Sequence, residues 1–178
     1  FRDVIHNRDL IQLICSGIIC HTYYRYNKNR FERRHHPVLI LVINSGSSSL
    51  KYKLYQMKTE TILAAGLVER IGSANGNAVI SHQIKDGDKI KLEQKVNNHS
   101  EALKAVLDYL TNGETGLLKS LDEINAFGHR VLHGGELFSS AIIVGDEELA
   151  KIESLKELGP LHMPPNIMGI KACHELMP

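Results

Sequence analysis

Leu39-Ile40-Leu41-Val42-Ile43-Asn44-Ser45-Gly46-Ser47-Ser48-Ser49-Leu50-Lys51-Tyr52-Lys53-Leu54-Tyr55 is the stretch on which the fold turns. Leu39 to Ile43 form a continuous apolar run rich in β-branched residues, which predicts a strand buried on both faces. Ser45 to Ser49 is a Gly/Ser turn. Leu50, Tyr52 and Leu54 then alternate with Lys51, Lys53 and Tyr55, the period of a half-buried strand. The segment reads strand, polar turn, strand.

Working downstream, Ile62 to Ile71 is a further strand candidate. Ala78–Lys85 and Lys89–Val96 flank Asp86-Gly87-Asp88, a hairpin signal. Between about Ser100 and Leu110, Ala102, Leu103, Val106, Leu107 and Leu110 fall on one helical face. Asn98 is placed to cap this helix, Glu101 to complete a capping box, and Asn112-Gly113 to end it. Ile124–Phe127 reads as a short strand leading into a glycine-rich turn, Gly128 to Gly135. Asp146–Leu158 has the pattern of an amphipathic helix with acids in its first turn. Pro160 to Asn166 reads as a stiff loop, and a last helix runs from about Asn166 to Leu176. Strands first, then strand and helix in alternation, predict an α/β fold with a mixed sheet covered by helices.

Working upstream, residues 1–37 differ in kind. They hold seven Lys and Arg against three Asp and Glu, a charge of +4, inside a chain of 178 residues with net charge +1. The remainder carries −3 and is no basic nucleic-acid binder. Leu10 to Cys20 is apolar but far short of the roughly 20 residues that span a bilayer, and Cys20-His21-Thr22-Tyr23 is a poor signal-peptide cleavage site. A basic stretch, Arg25–His36, with Tyr23, Tyr24, Tyr26 and Phe31 interleaved, is expected to be a solvated tail, with contact to RNA or an acidic partner as the alternative. Cys15, Cys20, His21, His35 and His36 match no standard zinc spacing. No Met precedes Met57, which suggests that residues 1–37 are a leader outside the native reading frame and that Val38 marks a GTG start. Three Cys in the chain fit a reducing, cytoplasmic compartment rather than a disulfide scaffold.

Three segments have the residue types for chemistry. Asn44 to Lys51 offers backbone N–H groups, hydroxyls and an ammonium to phosphate oxygens, although a plain hairpin turn looks the same. It is not a P-loop, because no G-x-x-x-x-G-K-[ST] occurs. Gly128 to Gly135 sets Arg130 among glycines, where a guanidinium forks onto a carboxylate or phosphate; the alternative is a structural Arg paired with a core carboxylate. His129 and His133 lack the third ligand and the helix that a metal site needs. Leu161 to Asn166 places His162 just ahead of a helix start, a position that favours anions; a lone loop His is more often a plain surface or satisfied residue.

Taken in order, VLILVINSGSSSLKYKLY (38–55), AFGHRVLHGGE (126–136) and LGPLHMPPNIMGI (158–170) resemble the acetate kinases. The resemblance runs through residues 38–178 and covers about the first third of that family's length. It implies an actin-like ATPase (ribonuclease H-like) N-terminal domain, incomplete, in the acetate and sugar kinase/Hsp70/actin superfamily. It implies Mg²⁺-dependent phosphoryl transfer between ATP and acetate, giving acetyl phosphate and ADP, in a cytoplasmic homodimer without membrane or nucleic-acid partners. By position, Asn44, Ser47, Ser49 and Lys51 match the phosphate and metal region, with Asn44 and Ser47 toward Mg²⁺. Arg130 and His162, together with Asn44, match catalytic residues, and Leu132 and Leu161 the walls of the acetate pocket. Met163 stands where the family usually has Asn. The family's catalytic Asp lies beyond Pro178, so the 178 residues alone are expected to be inactive. A propionate or butyrate kinase is the alternative, since such pockets differ by small apolar residues.

Overall fold

The computed structural model describes residues 20–24, 37–74 and 77–176. Eight strands form one sheet: β1 (Cys20–Tyr24), β2 (Leu39–Ser45), β3 (Ser49–Gln56), β4 (Thr61–Glu69), β5 (Asn77–Ile84), β6 (Ile90–Lys95), β7 (Ile124–Arg130) and β8 (Ile142–Ile143). Their order is β6-β5-β4-β3-β2-β7-β1-β8. Strands β2 to β6 make an antiparallel meander, and β7 joins β2 in parallel. Among the described residues there are three α-helices: α1 (His99–Thr111), α2 (Asp146–Ser154) and α3 (Met163–Leu176).

Strand β2 is buried on both faces, as its apolar run requires. Leu39, Leu41 and Ile43 join Leu50, Tyr52 and Leu54 of β3 against Leu103, Val106, Leu107 and Leu110 of α1. Ile40 faces the other way, onto Tyr55, Met57 and Ala126. Each fully buried Leu or Ile contributes about 1.5–3 kcal/mol, so this five-residue run anchors the sheet. A third cluster, Val131, Phe138, Val144, Ile152, Met163, Ile167 and Ile170, seats α2 and α3 beyond the end of β7. Tyr52, His82 and Tyr109 stack in series, with ring centroids 6.1 Å apart in each pair. The Tyr52 hydroxyl hydrogen-bonds His82 Nδ1, and His82 Nε2 donates to the Thr115 carbonyl at 2.9 Å.

The structure departs from the sequence reading in five places. Cys20–Tyr24, expected in a solvated leader, pairs antiparallel with β7 and parallel with β8; a β-prone segment beside an open strand edge completes that strand's hydrogen bonds. The rest of residues 1–36, including the basic stretch, the apolar run and the Cys/His group, lies outside the described residues. Strand β7 runs on through Gly128, His129 and Arg130 instead of turning there, because Gly128 and His129 are in register with Val42 and Ile43 of β2. Glu101 reaches back to the Asn97 N–H at 2.8 Å rather than to the Asn98 N–H, while Asn98 caps the Glu101 N–H at 2.9 Å. Helix α2 stops at Ser154, and Lys156–Leu158 is a separate 3₁₀ turn. Helix α3 begins at Met163, not Asn166: Pro164 and Pro165 sit in its first turn, where N–H groups have no intrahelical partner to lose.

Candidate functional site

Strands β2 and β7 are parallel, and both end at the same edge of the sheet, at Ser45 and Arg130. The carboxyl ends of parallel strands are where α/β sheets bind ligands. A cavity of about 260 Å³ opens there, lined by Asn44, Ser45, Gly46, Ser49, Lys51, Arg130, Leu132, His162 and Asn166. The three segments singled out in the sequence therefore converge. Asn44, Lys51 and Arg130 also line an adjoining groove of about 300 Å³ on the sheet surface, with Lys53.

Hydrogen bonds between segments hold the cavity's shape. Gly46 N–H donates to the Ser49 carbonyl at 2.8 Å, closing the turn. His99, at the start of α1, donates from Nε2 to the Gly46 carbonyl at 2.7 Å. His129 Nδ1 donates to the Arg130 carbonyl at 2.7 Å, which leaves its Nε2 to accept from the Ser45 hydroxyl at 3.0 Å. Asn166 is 4 % exposed; its Nδ2 donates to the Ser45 carbonyl at 2.7 Å and its Oδ1 accepts from Leu132 N–H at 3.0 Å. Gly169 lets α3 lie directly on the Ser45–His129 pair, with no room for a side chain.

The lining has Lys51, Arg130 and His162 and no Asp or Glu. Among the described residues no carboxylate pairs with Arg130. Among the described residues, then, Arg130 is not locked to a core carboxylate. Arg130 is half-buried and its fork is available to an anionic ligand. His162 is exposed immediately before α3, where the helix's free N–H groups favour negative charge. Leu132 supplies an apolar wall beside the cations. Such a cavity can hold a small carboxylate and a phosphoryl group together.

Of the residues expected from sequence, Asn44, Ser49, Lys51, Arg130, Leu132 and His162 line the cavity. Ser47 is exposed in the turn, and Leu161 is 77 % exposed; neither belongs to the lining. Sequence reasoning took Ser45, Gly46 and Asn166 only as members of their segments, weighed His129 only as a metal ligand, and missed the supporting His99. Both ring nitrogens of His129 bond within the protein, which closes the metal reading of His129 and His133. Among the described residues no group of three His, Cys, Asp or Glu is placed to hold a metal ion. Mg²⁺ is ordinarily held by one or two carboxylates plus substrate phosphates. The lining offers only neutral oxygens, so these residues do not hold Mg²⁺ by themselves. Cys173 is buried in α3, and burial pushes its thiol up to about 12, so it is inert. No helix among the described residues is long and apolar enough to cross a membrane.

Comparison with known proteins identifies relatives of the chain. The chain is 53% identical over 139 residues to an acetate kinase of Clostridium botulinum (strain Eklund 17B), covering 78% of this chain and 34% of that protein. It is 54% identical over 139 residues to an acetate kinase of Desulfitobacterium hafniense (strain DSM 10664), with the same coverage. It therefore spans about a third of the length of the curated relatives it matches. Among solved structures, Porphyromonas gingivalis acetate kinase superposes with a TM-score of 0.76 at 39% identity, over 79% of this chain and 35% of that one. A propionate kinase from Francisella tularensis gives 0.68 at 32% identity, over 78% and 34%. The mixed sheet and its helices are those of the actin-like ATPase fold that these structures share. The profile of the acetokinase family matches residues 39–178, and over that length the chain belongs to the acetokinase family.

Proposed function

We propose that this chain carries the carboxylate- and phosphoryl-binding part of an acetate kinase, which moves a phosphoryl group reversibly between ATP and acetate. The observation that carries the reading is the convergence of Arg130, Lys51 and His162 on one acid-free cavity beside Leu132. A carboxylate oxygen of acetate attacks the γ-phosphorus of ATP, the bond to the leaving ADP oxygen breaks, and acetyl phosphate results. Such a transfer needs positioning and charge neutralisation more than covalent help. Arg130 forks onto the acetate carboxylate and the phosphoryl oxygens. His162 donates a hydrogen bond to the group in transit. Leu132 packs on the acetate methyl.

Asn44, Ser49 and Lys51 would face the phosphates, and Asn44 and Ser47 would offer neutral oxygens to a Mg²⁺ carried on the nucleotide, which would neutralise phosphate charge. Residues 38–178 are the acetate kinase part in this reading, and Cys20–Tyr24 of the preceding segment adds a strand to the same sheet. The cytoplasmic, homodimeric state expected from the resemblance belongs to the same proposal. Propionate is the second reading, favoured by the likeness to a propionate kinase, and substrate profiling separates the two. The test is ATP formation from ADP and acetyl phosphate by the full-length protein carrying this chain. Arg130→Ala is expected to lower turnover on the order of 10²–10³-fold. Turnover near that of the unsubstituted protein rejects the role of Arg130.

A further inference from the structure

Three chain segments build the cavity, and one buried side chain touches two of them while standing on the third. Asn166 lies in the first turn of α3, four residues after His162, whose carbonyl accepts from the Asn166 N–H at 3.2 Å. Its Nδ2 holds the Ser45 carbonyl, at the entrance to the Gly/Ser turn; its Oδ1 holds the Leu132 N–H, two residues past Arg130. The amide orientation is set by these partners, since a carbonyl can only accept and an N–H can only donate. The bonds cross 121 and 34 residues of sequence. No neighbouring secondary-structure pairing would fix Leu132, because β7 ends at Arg130.

We propose that Asn166 is a positioning residue: a two-armed clamp that sets the spacing between the phosphate-facing turn, Arg130 with Leu132, and His162. It points its polar atoms at backbone rather than at ligand, so it acts through the groups it holds. Buried polar contacts of this kind are costly to leave half-made, and site geometry a fraction of an ångström out of place lowers transfer sharply. The proposal rests on the acetate kinase reading for its kinetic consequence only.

The test compares Asn166→Ala and Asn166→Asp in the full-length protein carrying this chain, by amide hydrogen exchange and steady-state kinetics. Asn166→Ala removes both arms. The Leu132 amide is expected to exchange at least about tenfold faster, with amides of Leu103–Leu107 in α1 unchanged. kcat is expected to fall on the order of 10–100-fold, with KM for acetate within about threefold. Asn166→Asp is nearly isosteric, keeps the acceptor and loses the donor. It is expected to leave Leu132 protected while the Gly46 amide exchanges faster, a split that loss of helix packing would not produce. An unchanged Leu132 rate in Asn166→Ala, or an unchanged kcat, overturns the clamp, and so does Asn166→Asp exposing Leu132 as much as Asn166→Ala does. If the unsubstituted protein transfers no phosphoryl group between ATP and acetate, the functional reading fails separately, and the exchange rates still decide the clamp.

Discussion

Gly169→Ala separates the local preference of a helix from the packing of this one. Helix α3 spans Met163–Leu176, and Gly169 lies mid-helix. On an exposed helix the substitution would gain about 1 kcal/mol, the cost of glycine relative to alanine. Here the added methyl would fall 3.0 Å from His129 Cδ2, and closer still to His129 Nε2 and Ser45 Oγ. Neither neighbour is the free end of a flexible chain: Ser45 and His129 are 2 % and 3 % exposed and bonded to each other. Overpacking a filled interior costs about 1–3 kcal/mol, and prising apart a buried hydrogen bond about 1–3 kcal/mol more. Set against the helical gain, the expected net loss is about 1–5 kcal/mol. For a chain of this size that lowers Tm by about 2–20 °C. Thermal unfolding followed by circular dichroism measures it. Ser45→Ala vacates part of the space, so the double variant is expected to be more stable than the two single losses predict, with a coupling of about 0.5–3 kcal/mol. A Tm raised by Gly169→Ala, or strict additivity with Ser45→Ala, refutes the close seating of α3 on that pair.

Other predictions follow from the same contacts. Burial lowers the His82 pKa below 6.5, with the bond to Thr115 acting in the opposite direction. The unfolded chain therefore takes up this proton first, and stability is retained above about pH 6.5 and lost as the pH falls below it; Tm at pH 7.5 and 5.5 is expected to differ less in His82→Gln than in the unsubstituted protein. Asn98→Ala removes the cap of α1 and is expected to cost about 1 kcal/mol in urea unfolding, with Asn98→Gly costing less. Leu103→Ala, at a fully buried position facing β2 and β3, is expected to cost about 2–5 kcal/mol by the same assay. His162→Ala in the full-length protein is expected to lower kcat for acetyl phosphate formation on the order of 10²-fold and to leave Tm within about 2 °C, because the side chain is exposed.

The elements that sequence reading placed well are those whose patterning is local. The apolar run of β2, the alternation of β3 and the one-sided stripe of α1 each carry their burial in their own spacing. So does the Asp86-Gly87-Asp88 hairpin. Two of the misplacements, at β7 and at Cys20–Tyr24, came from partners far away in sequence. Gly128 and His129 look like a turn until β2 is laid beside them. Pro164 and Pro165 look like a loop until one asks which helical N–H groups need no acceptor. Cys20–Tyr24 has no pattern of its own, and becomes a strand only where β7 offers an edge. At the site, charged and glycine-flanked residues such as Arg130 and Lys51 announced themselves. Asn166 did not: its role consists of two backbone contacts that no local pattern encodes.

The parallel seam between β2 and β7 has a consequence for how the chain is made. Strands β2 to β6 can pair as they emerge, each with the one before, but Ser45 meets His129 only 84 residues later. At about 5–20 residues per second, that leaves one edge of β2 unpaired for roughly 4–17 s during synthesis. The waiting edge is Leu39-Ile40-Leu41-Val42-Ile43, uncharged and β-prone, the composition that recruits other nascent chains. The strand that organises the finished sheet is thus, for some seconds of every synthesis, the point at which yield is decided.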